Sequence, residues 1–504
     1  MPEARTTPVN GGPGLAAEAS ARPRLQFRGG MAGLFVPFAV MFAGVLWLGL
    51  SGVAIPEAYW PVVILALLVG LLLVRDERAW VDALVAGIAS PMLGFMLLAW
   101  FLAGILGRLL GETGIIEGLV WLALQAGLTA EWFPLATFLI AAGLSISTGT
   151  SIGTILAATP ILLPAGLALG ADPLLLTGGI IGGAFVGDNL APISDTTIVS
   201  AYSQGTEVSL VVRSRLRYAA VAGGATIALY VALALLAPSP SGASTTAIEA
   251  SPHGLVMLVV PALLITMMIR GRHLVPSLLY SLALGVGLGL ATGLLSPSAL
   301  LTIDASQFSV GGVVVSGIMG MVGIAVFTIF LMGLAGTLEA GGLVDWLTRH
   351  AERWATTVTR AEASIVGTAL LMNVLTAAGT PSMVILGPFV RRLGHRFRLA
   401  PWRRGNLIDA CSTTIIGFLP YSVAVLIPFA MGSEAVAATG VRAFTPVHLI
   451  PYVFYCWALM LVIVVAAVTG WGREFIDEKA FVAEARAIYG DARADVEPEP
   501  GSSG

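Results

Sequence analysis

Apolar runs of about 20 residues recur along the chain, and this is the length that an α-helix needs to cross the hydrocarbon core of a bilayer. The polar connections between them leave no room for a large soluble domain. The clearest runs cover residues 32–54, 58–75, 91–111, 216–238, 253–269, 275–297, 311–338 and 446–470. The pattern therefore predicts an all-α polytopic membrane protein.

Two other apolar segments carry polar residues at their middle. Residues 133–170 are interrupted at STGTS (147–151), and residues 363–393 are interrupted at AGTPS (378–382). Each arm has about 15 residues, which as a helix cover about half of the bilayer. We therefore expect two re-entrant hairpins with broken helices at the midplane, the second hairpin entering from the inside.

The distribution of arginines orients the chain, because basic residues collect in the short cytoplasmic loops of membrane proteins. If residues 133–170 form a hairpin, the cluster of Arg213, Arg215 and Arg217 stays inside. The connections near 55–58, 239–252 and 298–310 carry no basic residue and are assigned to the outside. The result is a multi-pass protein of the cytoplasmic membrane with ten transmembrane helices, two hairpins and both termini in the cytoplasm.

Composition agrees with this class of protein. Hydrophobic residues make up 57% of the chain, charged residues 11%, and the mean hydropathy is +0.90, whereas soluble proteins have about 25% charged residues. The two cysteines, Cys411 and Cys456, lie in apolar runs and form no ligand cluster, so neither a disulfide framework nor a Cys-rich metal site is expected. No cofactor is predicted.

Three pairs of similar segments occur in the same order in the two halves of the chain. The pairs are FLAGILG (101–107) with FLMGLAG (330–336), GTSIGTIL (149–156) with GTPSMVIL (379–386), and NLAPISDTTI (189–198) with NLIDACSTTI (406–415). Five spans and one hairpin in each half give an odd number of crossings, so the second half enters from the opposite side. The sequence thus predicts two inverted repeats, an architecture of many secondary transporters.

The repeats set the predicted domain boundaries. These are a disordered cytoplasmic tail over 1–30, a first transmembrane repeat over 31–238, an external linker over 239–252, a second transmembrane repeat over 253–470, and a cytoplasmic C-terminal tail over 471–504.

The stretch GDNLAPISDTT (187–197) places carboxylates inside an apolar run. Ionisable side chains and unwound backbone are tolerated at membrane depth only where they line a protein-enclosed, hydrated cavity. Asp188 and Asp195 are seven residues apart, which puts them on nearly the same face of an ideal helix. A carboxylate there can hold either a proton or a hard monovalent cation, so we expect such a cation to bind at Asp195 and Asp188, with Asp195 ranked first.

Residues 147–154 (STGTSIGT) and 187–201 (GDNLAPISDTTIVSA) resemble the signature segments of the NhaC-type sodium/proton antiporter family, within the ion-transporter superfamily of inverted repeats with re-entrant hairpins. The resemblance spans roughly residues 30 to 470. It implies exchange of Na⁺ for protons, and some relatives couple these ions to malate and lactate or to amino acids.

The same resemblance implies which residues bind the ions. The first-half set is Asp195, Asp188, Asn189, Ser194, Thr196, Thr197, Thr148, Gly149, Thr150 and Ser151. The internal alignment adds a second-half set of Asp409, Asn406, Ser412, Thr413, Thr414, Gly379, Thr380 and Ser382.

Plainer explanations exist for several of these residues. Threonines such as Thr196, Thr197, Thr413 and Thr414 often bond back to their own helix, and an aspartate at a helix break can be a cap.

Other classes of function fit the sequence less well. Membrane aspartyl and zinc proteases would need a Tyr-Asp pair or an HExxH motif, and a potassium channel would need a filter such as TVGYG; the chain has none of these. An enzyme is therefore not indicated, and no nucleic acid is an expected partner. A homodimer in the lipid bilayer remains open.

One alternative within the transporters remains, a Na⁺- or H⁺-coupled carrier or exchanger of a small organic acid or amino acid. The hairpin tips could bind the substrate carboxylate through helix N-termini. The sequence shows no evident arginine within the membrane as its counter-charge, which favours a bare cation.

Overall fold

The computed structural model describes residues 25–53, 55–236, 251–304, 309–438 and 444–489. Helices α1 to α10 cover Met31–Leu50, Tyr59–Leu73, Glu77–Ile88, Pro91–Glu112, Ile115–Gln125, Phe133–Thr148, Ser151–Ala168, Pro173–Leu190, Asp195–Gln204 and Val208–Leu236. Helices α11 to α22 cover Val259–Ile269, Leu274–Thr292, Pro297–Leu300, Val313–Ala340, Leu343–Trp354, Val358–Thr376, Gly379–Arg396, Pro401–Ile416, Val423–Ala438, Pro446–Leu449, Phe454–Thr469 and Glu478–Tyr489. Short 3₁₀ helices cover Pro56–Ala58, Pro252–Leu258 and Ile450–Tyr452, and strand β1 (Thr302–Asp304) pairs antiparallel with β2 (Ser309–Gly311).

Within the described residues, 10 helices are long and apolar enough to cross a membrane, or up to 11 if the bent pair Pro446–Tyr452 and Phe454–Thr469 forms one span. The prediction of a polytopic, nearly all-helical membrane protein is confirmed. The set of candidate spans differs from the predicted set at two hairpin arms. Ser151–Ala168 and Val358–Thr376, which the sequence assigned to hairpin arms, also reach the required length.

Helices α6 and α7 form a helical hairpin, because Gly166 near the end of α7 lies against Phe133 at the start of α6. Gly149 ends α6 in the left-handed conformation, with φ 70°. The hydroxyl of Thr150 then accepts a hydrogen bond of 3.2 Å from the backbone N–H of Gly153 and caps α7. The polar residues at this tip therefore reverse the chain.

Helix α6 runs parallel to α8 and packs closely on it. Gly183 lies against Phe138, and Gly187 lies against Ser145, whose hydroxyl donates to the carbonyl of Ala184. A side chain at Gly187 would collide with the backbone of Ser145, so glycine permits the close approach. The hairpin tip is consequently level with the C-terminal end of α8.

The helix α8 is interrupted at residues 191–194 and continues as α9. Together they form one candidate span, Pro173–Gln204, of 32 residues. Pro192 lies in the interruption, where it cannot donate a backbone hydrogen bond. The tip of the first hairpin thus meets this interrupted helix near its middle.

The second half repeats this sequence of elements. Helices α16 and α17 form a hairpin, α18 follows, and residues 417–422 separate α18 from α19. The hydroxyls of Thr148 and Thr154 approach to 3.3 Å across the first tip, and those of Thr376 and Ser382 approach to 3.0 Å across the second. Ala377 takes the left-handed conformation of Gly149, with φ 51°.

The structural register of the two halves differs from the internal sequence alignment. The alignment pairs the first interruption with residues 406–415, but these residues form a continuous part of α18. Judged by the starts of equivalent helices, Asp188 corresponds to Ile416 and Asp195 to Val423. The alignment matched polar side chains, whereas the two halves correspond in the positions of their helix starts, such as Pro173 of α8 and Pro401 of α18. The alignment was therefore wrong at this segment.

Parts of both predicted tails belong to the folded protein. Phe27 forms a β-bridge with Val74, and Leu399 forms one with Phe475. Helix α22 packs on the end of α17, where the rings of His395 and Phe481 stack with centroids 4.2 Å apart. The rest of the tails (1–24 and 490–504) and residues 239–250 of the predicted linker lie outside the described residues.

A buried ion cluster joins the helix ends on the side of the bundle where α18 begins. Oε1 of Glu362 lies 2.7 Å from Nε of Arg403, and Oε2 lies 2.8 Å from Nη2 of Arg473. Glu362 is fully buried and Arg403 is 1% exposed, so their charges depend on each other for compensation. The cluster ties α16, α18 and the segment after α21 together.

We expect Glu362→Gln to lower the free energy of unfolding by about 3–5 kcal/mol, because it leaves Arg403 buried without its counter-charge. The control is Glu478→Gln, which breaks an exposed ion pair of 2.6 Å with Arg398 and should cost at most about 1 kcal/mol. Thermal and denaturant unfolding in detergent measure both. Equal stability of the two variants would contradict the assigned role of the cluster.

Candidate functional site

Asp188, near the end of α8, meets the tip of the first hairpin. Its side chain is 4% exposed, and Oδ1 accepts a hydrogen bond of 3.0 Å from the backbone N–H of Ser151, the first residue of α7. A helix N-terminus offers unpaired N–H groups and a partial positive charge, so it stabilises a nearby anion. The fold therefore presents a buried carboxylate to the positive end of a helix.

Oxygen atoms from the interruption surround Asp188. The hydroxyl of Ser194 lies 3.4 Å from Oδ1, and the hydroxyl of Thr197 donates to the carbonyl oxygen of Asp188 at 3.0 Å. Thr196 lies 2.9 Å from Ser194 and 3.4 Å from the same carbonyl. These neutral oxygens and the carboxylate resemble the sites where interrupted transporter helices hold cations.

Asp195 lies differently from Asp188. It is the first residue of α9 and is exposed, and its Oδ2 accepts a hydrogen bond of 2.9 Å from Thr380 of the second hairpin. The spacing in an ideal helix predicted one shared face, but the interruption turns the two side chains to different surroundings. The two carboxylates remain close enough to interact electrostatically.

The remaining first-half residues have mainly local partners. Thr148 contacts Ser145 and Thr154 on its own hairpin, Thr150 is the cap of α7, and Gly149 packs against Ile193. Asn189 donates from its amide to the carbonyl of Phe185 at 2.7 Å in the same helix. These residues shape the tip and the interruption around Asp188.

Helix α18 lies beside the interruption and runs antiparallel to α8 and α9. Phe185 lies against Gly417, Thr413 donates to Oδ1 of Asn189 at 3.4 Å, and Ser200 donates to Oδ2 of Asp409 at 3.0 Å. Asn406, Asp409 and Thr413 of the second-half set therefore face the first half from α18, and the set does not form a second copy of the Asp188 surroundings.

Three members of the second-half set bond within their own half. The hydroxyl of Thr414 bonds back to Ala410, as expected for a threonine in a helix. Ser412 accepts a hydrogen bond from Asn373 at 2.9 Å, and Ser382 contacts Thr376 at the second tip.

Arg215 belongs to this site, although the sequence analysis placed it in a cytoplasmic loop and found no arginine within the membrane. The structure contradicts the loop assignment, because Arg215 lies within α10. Arg215 lies inside the candidate span Val208–Leu236 with a fully buried side chain, and its Nη2 is 2.5 Å from Oδ2 of Asp409. Successive helical residues point about 100° apart, so the arginines of RSRLR cannot all face water if the helix starts before them. The helix was predicted to start at 216, which hid this signal.

A groove lies between α9 and α17. Its lining includes Val199 and Val384, which follow Asp195 and Thr380 by one helical turn in the sequence. Its volume is about 690 Å³, and it is lined by Val199, Tyr202, Ser203, Val384, Pro388, Arg391, Arg392, Ala487 and Ile488.

Several known proteins with similar sequences are described as ion or solute antiporters. The chain is 23% identical over 431 residues to the malate-2H⁺/Na⁺-lactate antiporter of Bacillus subtilis, covering 82% of this chain and 88% of that protein. It is 23% identical over 368 residues to the Na⁺/H⁺ antiporter NhaC of Alkalihalophilus pseudofirmus, covering 69% and 77%. The arginine/ornithine antiporter ArcD of Halobacterium salinarum is 24% identical over 394 residues, covering 71% and 76%.

Among the solved structures that match this chain is Neisseria gonorrhoeae MtrF, whose structure is described in connection with a class of antimetabolite efflux pumps. The identity is 13%, the TM-score is 0.40, and the match covers 84% of this chain and 97% of that one.

The profile of the Na⁺/H⁺ antiporter family matches residues 30–235 and 243–471, which together make up most of the chain. This match and the similarity to NhaC confirm the family predicted from the segments at 147–154 and 187–201. Membership supports Na⁺/H⁺ exchange as the function, with Na⁺ and H⁺ as the transported ions. The chain is a member of the Na⁺/H⁺ antiporter family.

Proposed function

We propose that Na⁺ and protons compete for the carboxylate of Asp188 and that this competition drives their exchange. The observation that carries the proposal is the contact of this buried carboxylate with the N–H of Ser151 at the hairpin tip. Asp188 replaces Asp195 as the leading candidate because it is buried. A buried carboxylate needs compensation for its charge, and either Na⁺ or a proton supplies it.

Asp195 serves in this proposal as the second acidic group. Its bond from Thr380 links the second hairpin to the start of α9. Because Asp195 is exposed and Asp188 is buried, an entering ion would meet Asp195 first.

We further propose that the two halves are inverted repeats around this site. The antiparallel course of α18 relative to α8 and α9 supports the inversion, as do the equivalent tips at Gly149 and Ala377. In this arrangement both hairpins are re-entrant, both termini are cytoplasmic, and access to the site alternates between the two sides of the membrane.

Exchange follows from the energetics of charge within a bilayer. With neither ion bound, Asp188 carries an uncompensated charge that makes crossing costly. Bound Na⁺ or a proton removes this cost, so the loaded forms change their facing direction more readily. One ion leaves on each side as the other arrives, which is antiport.

A second candidate function is an exchanger that also carries a small organic acid, as the name of the Bacillus relative states for that protein. Its carboxylate would need a free cationic partner. Arg215 is the buried candidate, but its guanidinium already contacts Asn189, Asn406 and Asp409. This engagement favours the bare cation as the substrate.

We expect Asp188→Asn to abolish Na⁺-dependent proton movement in proteoliposomes, because a neutral amide cannot exchange a proton for Na⁺. Asp195→Asn should raise the apparent KM for Na⁺ about tenfold through the lost electrostatic attraction. The control is Asp172→Asn, at the exposed cap of α8, where asparagine caps equally well. An Asp188→Asn variant that folds and exchanges Na⁺ normally would refute the assignment.

We expect Na⁺ alone to dissipate an imposed proton gradient in vesicles that contain the protein and a pH dye. Na⁺, Li⁺, K⁺, lactate, malate and amino acids are added separately, and protein-free vesicles are the control. A strict requirement for an organic solute would instead establish the second candidate function.

A further inference from the structure

The guanidinium of Arg215 is fully buried and directed at protein groups on both halves of the chain. Nη1 donates to the carbonyl oxygen of Asn189 at 3.3 Å and to the hydroxyl of Thr197 at 3.2 Å. On the other half, Nε donates to Oδ1 of Asn406 at 2.9 Å, and Nη2 lies 2.5 Å from Oδ2 of Asp409. The Arg215 side chain thus joins the two helix ends that flank the first interruption to α18.

Asp409 is equally buried, and its two carboxylate oxygens have different surroundings. Oδ2 contacts Arg215 and accepts a hydrogen bond of 3.0 Å from Ser200. Oδ1 has no hydrogen-bond partner among the described residues. Both charges of the pair have 0% exposure, so neither is screened by solvent and each compensates the other.

We infer that Arg215 is a resident counter-ion that keeps Asp409 charged throughout exchange, so that Asp409 positions the site and does not carry the exchanged ions. The inference rests on the proposed function and divides the three acidic residues into two roles. Asp188 and Asp195 exchange Na⁺ and protons, and the pair of Arg215 and Asp409 stays neutral as a whole.

The geometry explains why the charge balance between Arg215 and Asp409 affects the binding of Na⁺. Arg215 bonds to the carbonyl of Asn189, the residue next to Asp188. If Asp409 lost its charge, Arg215 would become an uncompensated positive charge beside the cation site and would repel Na⁺. If Asp409 were instead a ligand of Na⁺, its loss would remove a ligand, whatever the charge on Arg215.

The two roles are separated by a double-mutant cycle on purified protein with radioactive Na⁺ as the probe. We expect Asp409→Asn to raise the Kd for Na⁺ about tenfold through repulsion by Arg215. Arg215→Gln together with Asp409→Asn should restore the Kd to within about threefold of the unmodified protein, because both charges are removed. Arg213→Gln, at an exposed position of the same helix, is the matched control and should leave the Kd unchanged.

Arg215→Gln alone should make Na⁺ binding depend more steeply on pH, since the unpaired Asp409 then takes up a proton. A purely structural role of Arg215 would not change this pH profile. If the double variant binds Na⁺ as weakly as Asp409→Asn alone, Asp409 is a ligand and the inference is wrong.

Two further measurements keep the outcome decisive. Should the double variant fail to fold in detergent, Arg215→Lys retains the charge and should retain most of the Na⁺ affinity; a loss equal to that of Asp409→Asn would overturn the inference. Failure of the unmodified protein to bind Na⁺ would refute the proposed function itself. Na⁺ binding that disappears in Asp188→Asn, with no recovery in the double variant, would refute only the role of Arg215.

Discussion

The hydrogen bond from the N–H of Ser151 to the carboxylate of Asp188 is the contact on which the rest of the site depends. It joins the tip of a helical hairpin to the middle of an interrupted helix. Burying a carboxylate is costly, and the positive end of α7 offsets only part of that cost. In the proposed function an exchangeable ion supplies the rest of the compensation, so the contact that positions Asp188 would also leave it able to release and take up cations.

The second half of the chain has the same order of hairpin, helix, break and helix as the first, but different side chains at the break. Ile416 and Val423 stand where the first half has Asp188 and Asp195, so the described residues hold no second pair of carboxylates at these positions. The second half contributes partners instead, with Thr380 bonded to Asp195 and Asp409 beside Ser200. The proposed function uses this difference, because one acidic site between two halves suits alternating access from the two sides of a membrane.

Arg215 shows why the presence of a charge is weaker evidence than the partners of that charge. A buried arginine is an obvious partner for an organic anion, and its supposed absence seemed to favour a bare cation. The arginine is present, yet its guanidinium contacts protein groups on both halves, including Asn406 and Asp409. The proposed preference for a cation therefore rests on the contacts of the Arg215 guanidinium, and these contacts are visible only in the tertiary structure.

The sequence by itself determined the class of the protein, the interruption at 147–151, a helix break within 187–197, and the family. These are local properties, because the length of an apolar run and the position of glycine or proline fix where helices form and end. Only the tertiary structure decided that Asp188 is buried and Asp195 exposed, that residues 406–415 form a continuous helix, and that Arg215 is buried against Asp409. Burial and partners depend on which helices pack together, and residues far apart in the chain set that packing.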